Sequence, residues 1–261
     1  MPAKTFLDAF PLPVLFVAIA LLVLISIEVG YRVGRARRSR PGHEAEAPVG
    51  AMVGSTLGLL AFLLAFTFGM AASRFDARRL AVLDEANSIG TTYLRAGMLP
   101  AFRAEIRTLL RDYVDARLEA VRSGNIAEGI RRSEELQGRI WEHAVTLAEQ
   151  NPTSIVVGLF VQSLNETIDL HTKRVTAGLR SRIPSIIWMG LGMVTVIALT
   201  AMGYHGGLTG TARSLATLAV AFTFSVVIAL IADLDRPREG ALKVSQQAIV
   251  DLRQSMQAPV P

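Results

Sequence analysis

The sequence predicts an all-α membrane protein in which four transmembrane helices form two hairpins flanking a helical, water-facing insert. Three observations predict it. Residues 47–73 and 183–212 are uncharged and apolar, each long enough to cross a bilayer as a helix; shorter apolar runs at 9–27 and 214–232 sit beside them; and the 109 residues between the long runs hold 16 basic and 14 acidic side chains. The predicted units are a first hairpin at 9–73, an insert at 74–182, a second hairpin at 183–233 and a polar C-terminal tail at 234–261.

In the first hairpin, Pro11 and Pro13 suit a helix entrance, and the helix is expected to end between Glu28 and Gly34. The second helix should begin after Pro48. In place of a stop at the membrane surface, Phe75, Arg78, Arg79, Val82, Leu83 and Ala86 continue the helical pattern with no Gly or Pro until Gly90, so this helix should project beyond the bilayer. Within the insert, Phe102, Ile106, Leu109, Leu110, Tyr113, Val114, Leu118 and Val121 recur at three- and four-residue steps, the mark of a helix with one buried face, and Arg117 falls outside that stripe. Ser123-Gly124-Asn125 reads as a turn, a further helix runs to about Gln150, and Asn151-Pro152 reads as an N-cap with proline at the first helical position. In the second hairpin, Pro184 opens a helix, Gly203, Gly206, Gly207 and Gly210 are expected to form the turn, and Pro237 helps stop the last span.

The two hairpins look like copies of one another. Gly30-Tyr31-x-x-Gly34 is matched by Gly203-Tyr204-x-x-Gly207, and Ala65-Phe66-Thr67-Phe68 by Ala221-Phe222-Thr223-Phe224. Both copies would run the same way through the membrane, as a parallel repeat.

Charge and composition exclude several classes. Cysteine is absent, which removes disulfides, thiol catalysis and Cys-ligated metals. The net charge of +5 is spread through the chain without a basic tail or aromatic interleaving, so the basic residues suit lipid headgroups and not nucleic acid. Glu166, Asp169 and His171 would be the nearest thing to a metal site, but both acids stand at ion-pair spacing from Lys173 and His171 is off their face; no metal or other cofactor is expected. With no nucleophile–base grouping, phosphate loop or nucleotide fingerprint, no enzyme is expected either.

Five groups of residues are candidates for function. Gly50, Gly54 and Gly58, extended by Ala65 and Gly69, place small side chains at four-residue spacing on the second helix, a packing face either within the chain or between copies. Thr67, Phe68, Thr223 and Phe224 would either line a constriction or, for the threonines, bond the preceding turn. Arg74, Asp76 and Arg78 follow the second span, and Asp233, Asp235 and Arg236 end the fourth on the same membrane side, within reach of inter-helix ion pairs. Glu28 pairs naturally with Arg32 one turn on. Arg32, Arg35, Arg37, Arg38 and Arg40 crowd the first short loop, which places that loop inside the cell and the insert outside, against the many basic residues on the opposite face.

Leu59-Leu60-Ala61-Phe62-Leu63-Leu64-Ala65-Phe66-Thr67-Phe68, Arg74-Phe75-Asp76-x-Arg78-Arg79 and Glu85-Ala86-Asn87-Ser88-Ile89-Gly90-Thr91-Thr92-Tyr93-Leu94-Arg95 resemble the bestrophin-like domain family of bacterial membrane proteins. So do Leu99-Pro100, the Tyr113 to Arg117 segment, Leu164-Asn165 through Leu170-His171, and Leu234-Asp235-Arg236-Pro237-Arg238-Glu239-Gly240. True bestrophins are pentameric anion channels with four membrane helices per subunit and a large helical cytosolic portion. The resemblance therefore implies a channel-like homo-oligomer, pentameric by analogy, in the inner membrane, and a cytosolic insert. Two other functions suit the same layout: a membrane-anchored scaffold or sensor, and a stator-like subunit that needs a single-span membrane partner.

Overall fold

The computed structural model describes residues 10–40, 46–211, 215–236 and 240–257. Among them every regular element is a helix: α1 (Leu12–Arg38), α2 (Glu46–Ala96), α3 (Arg103–Ser123), α4 (Ile126–Gln150), α5 (Ile155–Leu179), α6 (Ser185–Thr209), α7 (Leu215–Asp235) and α8 (Gln247–Ser255). Four of them, α1, α2, α6 and α7, are long and apolar enough to cross a membrane. At 51 residues and about 1.5 Å of rise each, α2 is about 76 Å long, more than twice the hydrocarbon thickness of roughly 30 Å. Pro237 and the residues around it lie outside the described chain.

The chain divides into two compact units, residues 1–75 with 182–243, and residues 76–181 with 244–261. In the first, Leu60, Leu64 and Ala71 of α2 pack with Leu191 and Ala198 of α6 and with Ile228, Ile231 and Leu234 of α7. Val23 and Ile27 of α1 meet Leu199 of α6 and Ala221 of α7. The outer face of α1, with Val14, Val17, Leu21, Ile25, Val29 and Val33 all exposed, is apolar throughout, as a face turned to lipid must be.

Helices α1 and α6 touch backbone to backbone, and the contact corrects the expected turn. Gly203, Gly206 and Gly207 lie inside α6, and only Gly210, at φ +68°, ends it. A Cβ on Gly203 would collide with the Ile27 carbonyl and one on Gly207 with the Tyr31 carbonyl; reciprocally, Gly30 faces the carbonyl of Thr200 and Gly34 that of Tyr204. Each glycine sits against the carbonyl three residues before its counterpart glycine. The two matching motifs thus pack on each other as equivalent halves of one parallel contact. The glycines are there because two helix backbones this close leave no room for a side chain.

The second unit surrounds one core of Ile89, Tyr93, Leu99, Ile106, Leu110, Tyr113, Leu136, Ile140, Leu147, Phe160, Leu164 and Ile249. Two sequence expectations change here. Phe102 precedes α3 in a left-handed conformation (φ +56°), stacked near His143 with ring centroids 4.9 Å apart, while Arg117 is buried and Val121 is 44% exposed. The inward stripe therefore runs Tyr113, Arg117, Ala120 where continued aliphatics were expected. Asn151 closes α4, its side chain donating to the Leu147 carbonyl, and Ser154 is the N-cap of α5, accepting from the Val157 amide. The Ser123–Asn125 turn forms as expected: Gly124 has φ +75° and Asn125 caps α4. The segment read as a polar tail carries α8, whose Ile249 is fully buried beside Met256 in this core.

Candidate functional site

Three arrangements are candidates: the exposed, mainly apolar face of α2, the carboxylates at the end of α7, and a buried carboxylate in the second unit. On α2 in the first unit, Met52, Leu59, Phe62 and Phe66 are 69, 52, 67 and 63% exposed. With Ser55, Gly69 and Ser73, also exposed, they repeat in alternating steps of three and four residues. In the second unit Asp76, Leu80, Leu83, Asn87 and Leu94 are exposed at the matching steps. Alternation of three and four keeps these side chains on one face of the helix.

Of the expected packing glycines, Gly50, Gly54 and Gly58 stand beside this seam and Gly69 lies on it. A Cβ on Gly50 would come 2.9 Å from His205 Nε2, whereas Gly54, Gly58 and Gly69 have nothing within 4 Å, and Ala65 is exposed. Among the described residues, no helix of the same chain fills the positions around Gly54, Gly58 and Gly69. Thr67, in contrast, is buried, and its hydroxyl donates to the Leu63 carbonyl at 2.7 Å. Phe68 is 41% exposed; Thr223 is exposed and donates to the Ala219 carbonyl, and Phe224 is half-buried against Leu199 and its neighbours.

At the end of α7, Asp233 accepts from the amides of Ala241 and Leu242 at 3.0 and 3.1 Å, and a Cβ on Gly240 would displace that carboxylate. Asp235 accepts from the Ile183 amide at 2.9 Å and lies 3.7 Å from the Arg182 guanidinium, so it holds the entrance of α6. Arg236 and Arg78 are buried, Arg74 half-buried and Asp76 exposed. Glu28 pairs with Arg32 at 2.7 Å.

The second unit is tied together by Glu85 of α2, which is 0% exposed. Tyr113 of α3 donates to its Oε1 at 2.8 Å, Arg117 Nε approaches the same oxygen at 3.2 Å, and Arg174 of α5 donates to Oε2. His171 Nδ1 lies 3.1 Å from the Tyr113 hydroxyl, which also accepts from Gln137 of α4 at 3.3 Å. Arg174 then reaches Gln246 before α8 at 2.6 Å. One carboxylate thus links α2, α3, α4, α5 and the C-terminal segment. Burial would raise the Glu85 carboxyl, but His171, 3.6 Å away, and the charges of Arg117 and Arg174 outweigh burial and hold it well below the usual carboxylate range. Burial and the Glu85 charge push the Tyr113 phenol up. Burial pulls Arg174 down.

Sequence reasoning did not find this cluster. The available signal was Glu85 standing between Val82, Ala86 and Ile89 on the inward face of α2, where a lone carboxylate requires buried partners. Of the residues weighed for metal, His171 joins the Glu85 cluster; Lys173, which stood at ion-pair spacing from Glu166 and Asp169, pairs with Asp84 at 3.2 Å. No group of three or more His, Cys, Asp or Glu side chains able to hold a metal occurs among the described residues.

Four apolar helices and an all-helical polar portion make this an integral membrane protein. The chain belongs to the bestrophin-like domain family, whose model matches residues 15–249. It is similar in fold to a bestrophin homologue from Klebsiella pneumoniae with a leucine-to-threonine substitution, at 16% identity and TM-score 0.67 over 94% of this chain and 97% of that one. A second form of that homologue, with an isoleucine-to-threonine substitution, gives 15% and 0.65 over 93% and 96%. A membrane protein with a proline-to-alanine substitution gives 15% and 0.66 over 92% and 95%. No curated protein matches the sequence. The segments on which the resemblance rests supply Glu85, Tyr113, Arg117 and His171 to one buried cluster and Asp235 to the contact with the Ile183 amide.

Proposed function

We propose that the protein is a homo-oligomeric, channel-like protein of the inner membrane, in which each copy presents the exposed seam of α2 to a central path. One observation carries this reading. Leu80, Leu83 and Leu94 are 55, 46 and 64% exposed in the charged second unit, past the end of the uncharged run 47–73. Each leaves unrealised part of the roughly 1.5–3 kcal/mol that burying a leucine contributes. Copies of the same face meeting around an axis remove that cost, and the alternating register suits such a meeting. Family membership supports the channel, and a pentamer is the expected ring.

In this reading Phe62 and Phe66 line the narrow part, Phe68 and the second-hairpin pair Thr223 and Phe224 stand outside it, and Thr67 stays turned inward. Gly54, Gly58 and Ala65 form the contact with the neighbouring copy, and Gly69 lies on the seam itself. The spans cross as two hairpins, and the arginine-dense first loop keeps the insert outside the cell; labelling of single cysteines at Arg32 and Glu105 in whole cells tests this, and accessibility of Arg32 alone from outside reverses it.

Purified protein in liposomes should pass ions, and its mass in mild detergent should be a multiple of 28.2 kDa. Phe66→Ala should raise flux severalfold while Thr67→Ala leaves it unchanged. A single-chain mass, or no flux across a range of ions and pH, overturns the proposal.

A further inference from the structure

We infer that Arg103, Arg107 and Arg111 of α3 form a binding site for a dissolved oligophosphate of the size of pyrophosphate. The three stand four residues apart, so each is about 40° round the helix from the last and the row is about 12 Å long. Arg103 is exposed, and Arg107 and Arg111 are half-buried. The site lies wholly in the second unit and does not depend on the channel reading.

Each of these cations is held by neutral acceptors. Arg103 donates through Nε and Nη2 to the Leu99 carbonyl at 3.3 and 3.1 Å, and Arg107 through Nε to the Tyr93 carbonyl at 3.4 Å. Arg111 donates through Nε and Nη2 to the Tyr93 hydroxyl at 3.2 and 2.9 Å. The guanidinium carbons of Arg107 and Arg111 also lie 4.6 and 5.6 Å from the centroid of the same Tyr93 ring. A Cβ on Gly97 would collide with the Arg107 guanidinium, so the missing side chain there makes its room.

No carboxylate among the described residues compensates the row. Asp115, one turn beyond Arg111, gives both oxygens to Arg253. Glu105 is about 160° round the helix from Arg103 and Arg107, and Asp112 about 100° from Arg111. Arg117 and Arg174, by contrast, share Glu85. Like charges at four-residue spacing repel, yet the contacts with Tyr93 pin two of them side by side. Nη1 of Arg103, both Nη of Arg107 and Nη1 of Arg111 have no acceptor among the described residues. Forked donors without a counter-ion are what phosphate oxygens bind in pairs. A single phosphate meets only part of a row about 12 Å long, and linked phosphates meet more of it.

The test is calorimetric titration of the full chain in mild detergent with inorganic pyrophosphate, paired with thermal unfolding against sodium chloride of equal ionic strength. Pyrophosphate should bind wild type and raise its unfolding temperature where sodium chloride does not. Arg107→Gln and Arg111→Gln should each weaken binding roughly tenfold. Arg107→Lys should stay weaker than wild type, because an ammonium cannot make two parallel bonds. Arg131→Gln, which removes an exposed arginine already paired with Glu128, should bind as wild type does. Should the half-buried positions not tolerate glutamine, the exposed Arg103→Gln reads the same loss. No binding to wild type at millimolar pyrophosphate, an equal rise with sodium chloride, or wild-type affinity in the row variants overturns the site. Orthophosphate binding as tightly as pyrophosphate overturns the oligophosphate class, and dioctanoyl phosphatidic acid competing equally overturns the dissolved ligand in favour of a lipid headgroup.

Discussion

Glu85 shows how much one side chain decides. Its carboxylate is dry, and three helices and the C-terminal segment reach it through Tyr113, Arg117 and Arg174. Glu85→Gln leaves two buried guanidinium groups without their counter-ion and should destabilise the second unit by about 3–5 kcal/mol, read as a lower midpoint in chemical unfolding followed by helical circular dichroism. The pH dependence has a definite sign. The carboxyl is held lower in the folded chain than in the unfolded chain, so its contribution is fully present above the unfolded value of 4.5 and is lost as pH falls below it toward the folded value. Wild type should lose stability on acidification below about pH 4.5, and Glu85→Gln should show a flatter profile over that window. Equal slopes for the two proteins would exclude Glu85 as the group responsible. The exposed pairs Arg131–Glu128 and Arg132–Glu135 contribute far less, because water already solvates both partners.

Among elements, two sets of glycines separate folding from assembly. Gly34 lies against the Tyr204 carbonyl, so Gly34→Ala forces α1 and α6 apart and should cost about 1–3 kcal/mol of chain stability. Gly58 has nothing within 4 Å, so Gly58→Ala should leave the unfolding temperature of the single chain unchanged and shift the mass distribution in mild detergent toward smaller species. A stable Gly34→Ala protein would contradict the close backbone contact; an unaltered mass for Gly58→Ala would place the copy-to-copy contact elsewhere. In sequence the two sets look alike, because four-residue spacing of small residues says that a helix backbone can be approached and does not say by what.

At the scale of the whole molecule, the C-terminal segment belongs to the core of the second unit. Ile249 and Met256 are buried there, the Tyr93 hydroxyl donates to the Met256 carbonyl at 3.1 Å, and Arg253 pairs with Asp115. Deleting residues 244–261 should therefore open that core: limited proteolysis should cut α3 and α4 rapidly while fragments containing α1, α6 and α7 persist. Resistance equal to the full chain would mean that α8 adds nothing to the fold. The same deletion removes Gln246 from Arg174, so combined with Glu85→Gln it should cost less than the sum of the two, the signature of a shared network.

What the sequence by itself determined is the set of elements. Lipid offers no hydrogen bonds, so residues 47–73 and their three counterparts had to be helices, and the unbroken pattern from Phe75 to Ala86 had to carry α2 beyond the bilayer. The tertiary structure decided the partners. It turned Gly203 and Gly207 from an expected turn into the floor of the α1–α6 contact, Arg117 from an outward cation into a ligand of Glu85, and Asn151 from the start of one helix into the end of another. Local periodicity records which face of a helix is apolar, whereas the identity of the group across from it depends on residues far along the chain, 89 positions away for Glu85 and Arg174 and 163 for Tyr93 and Met256, and no short window of sequence contains both.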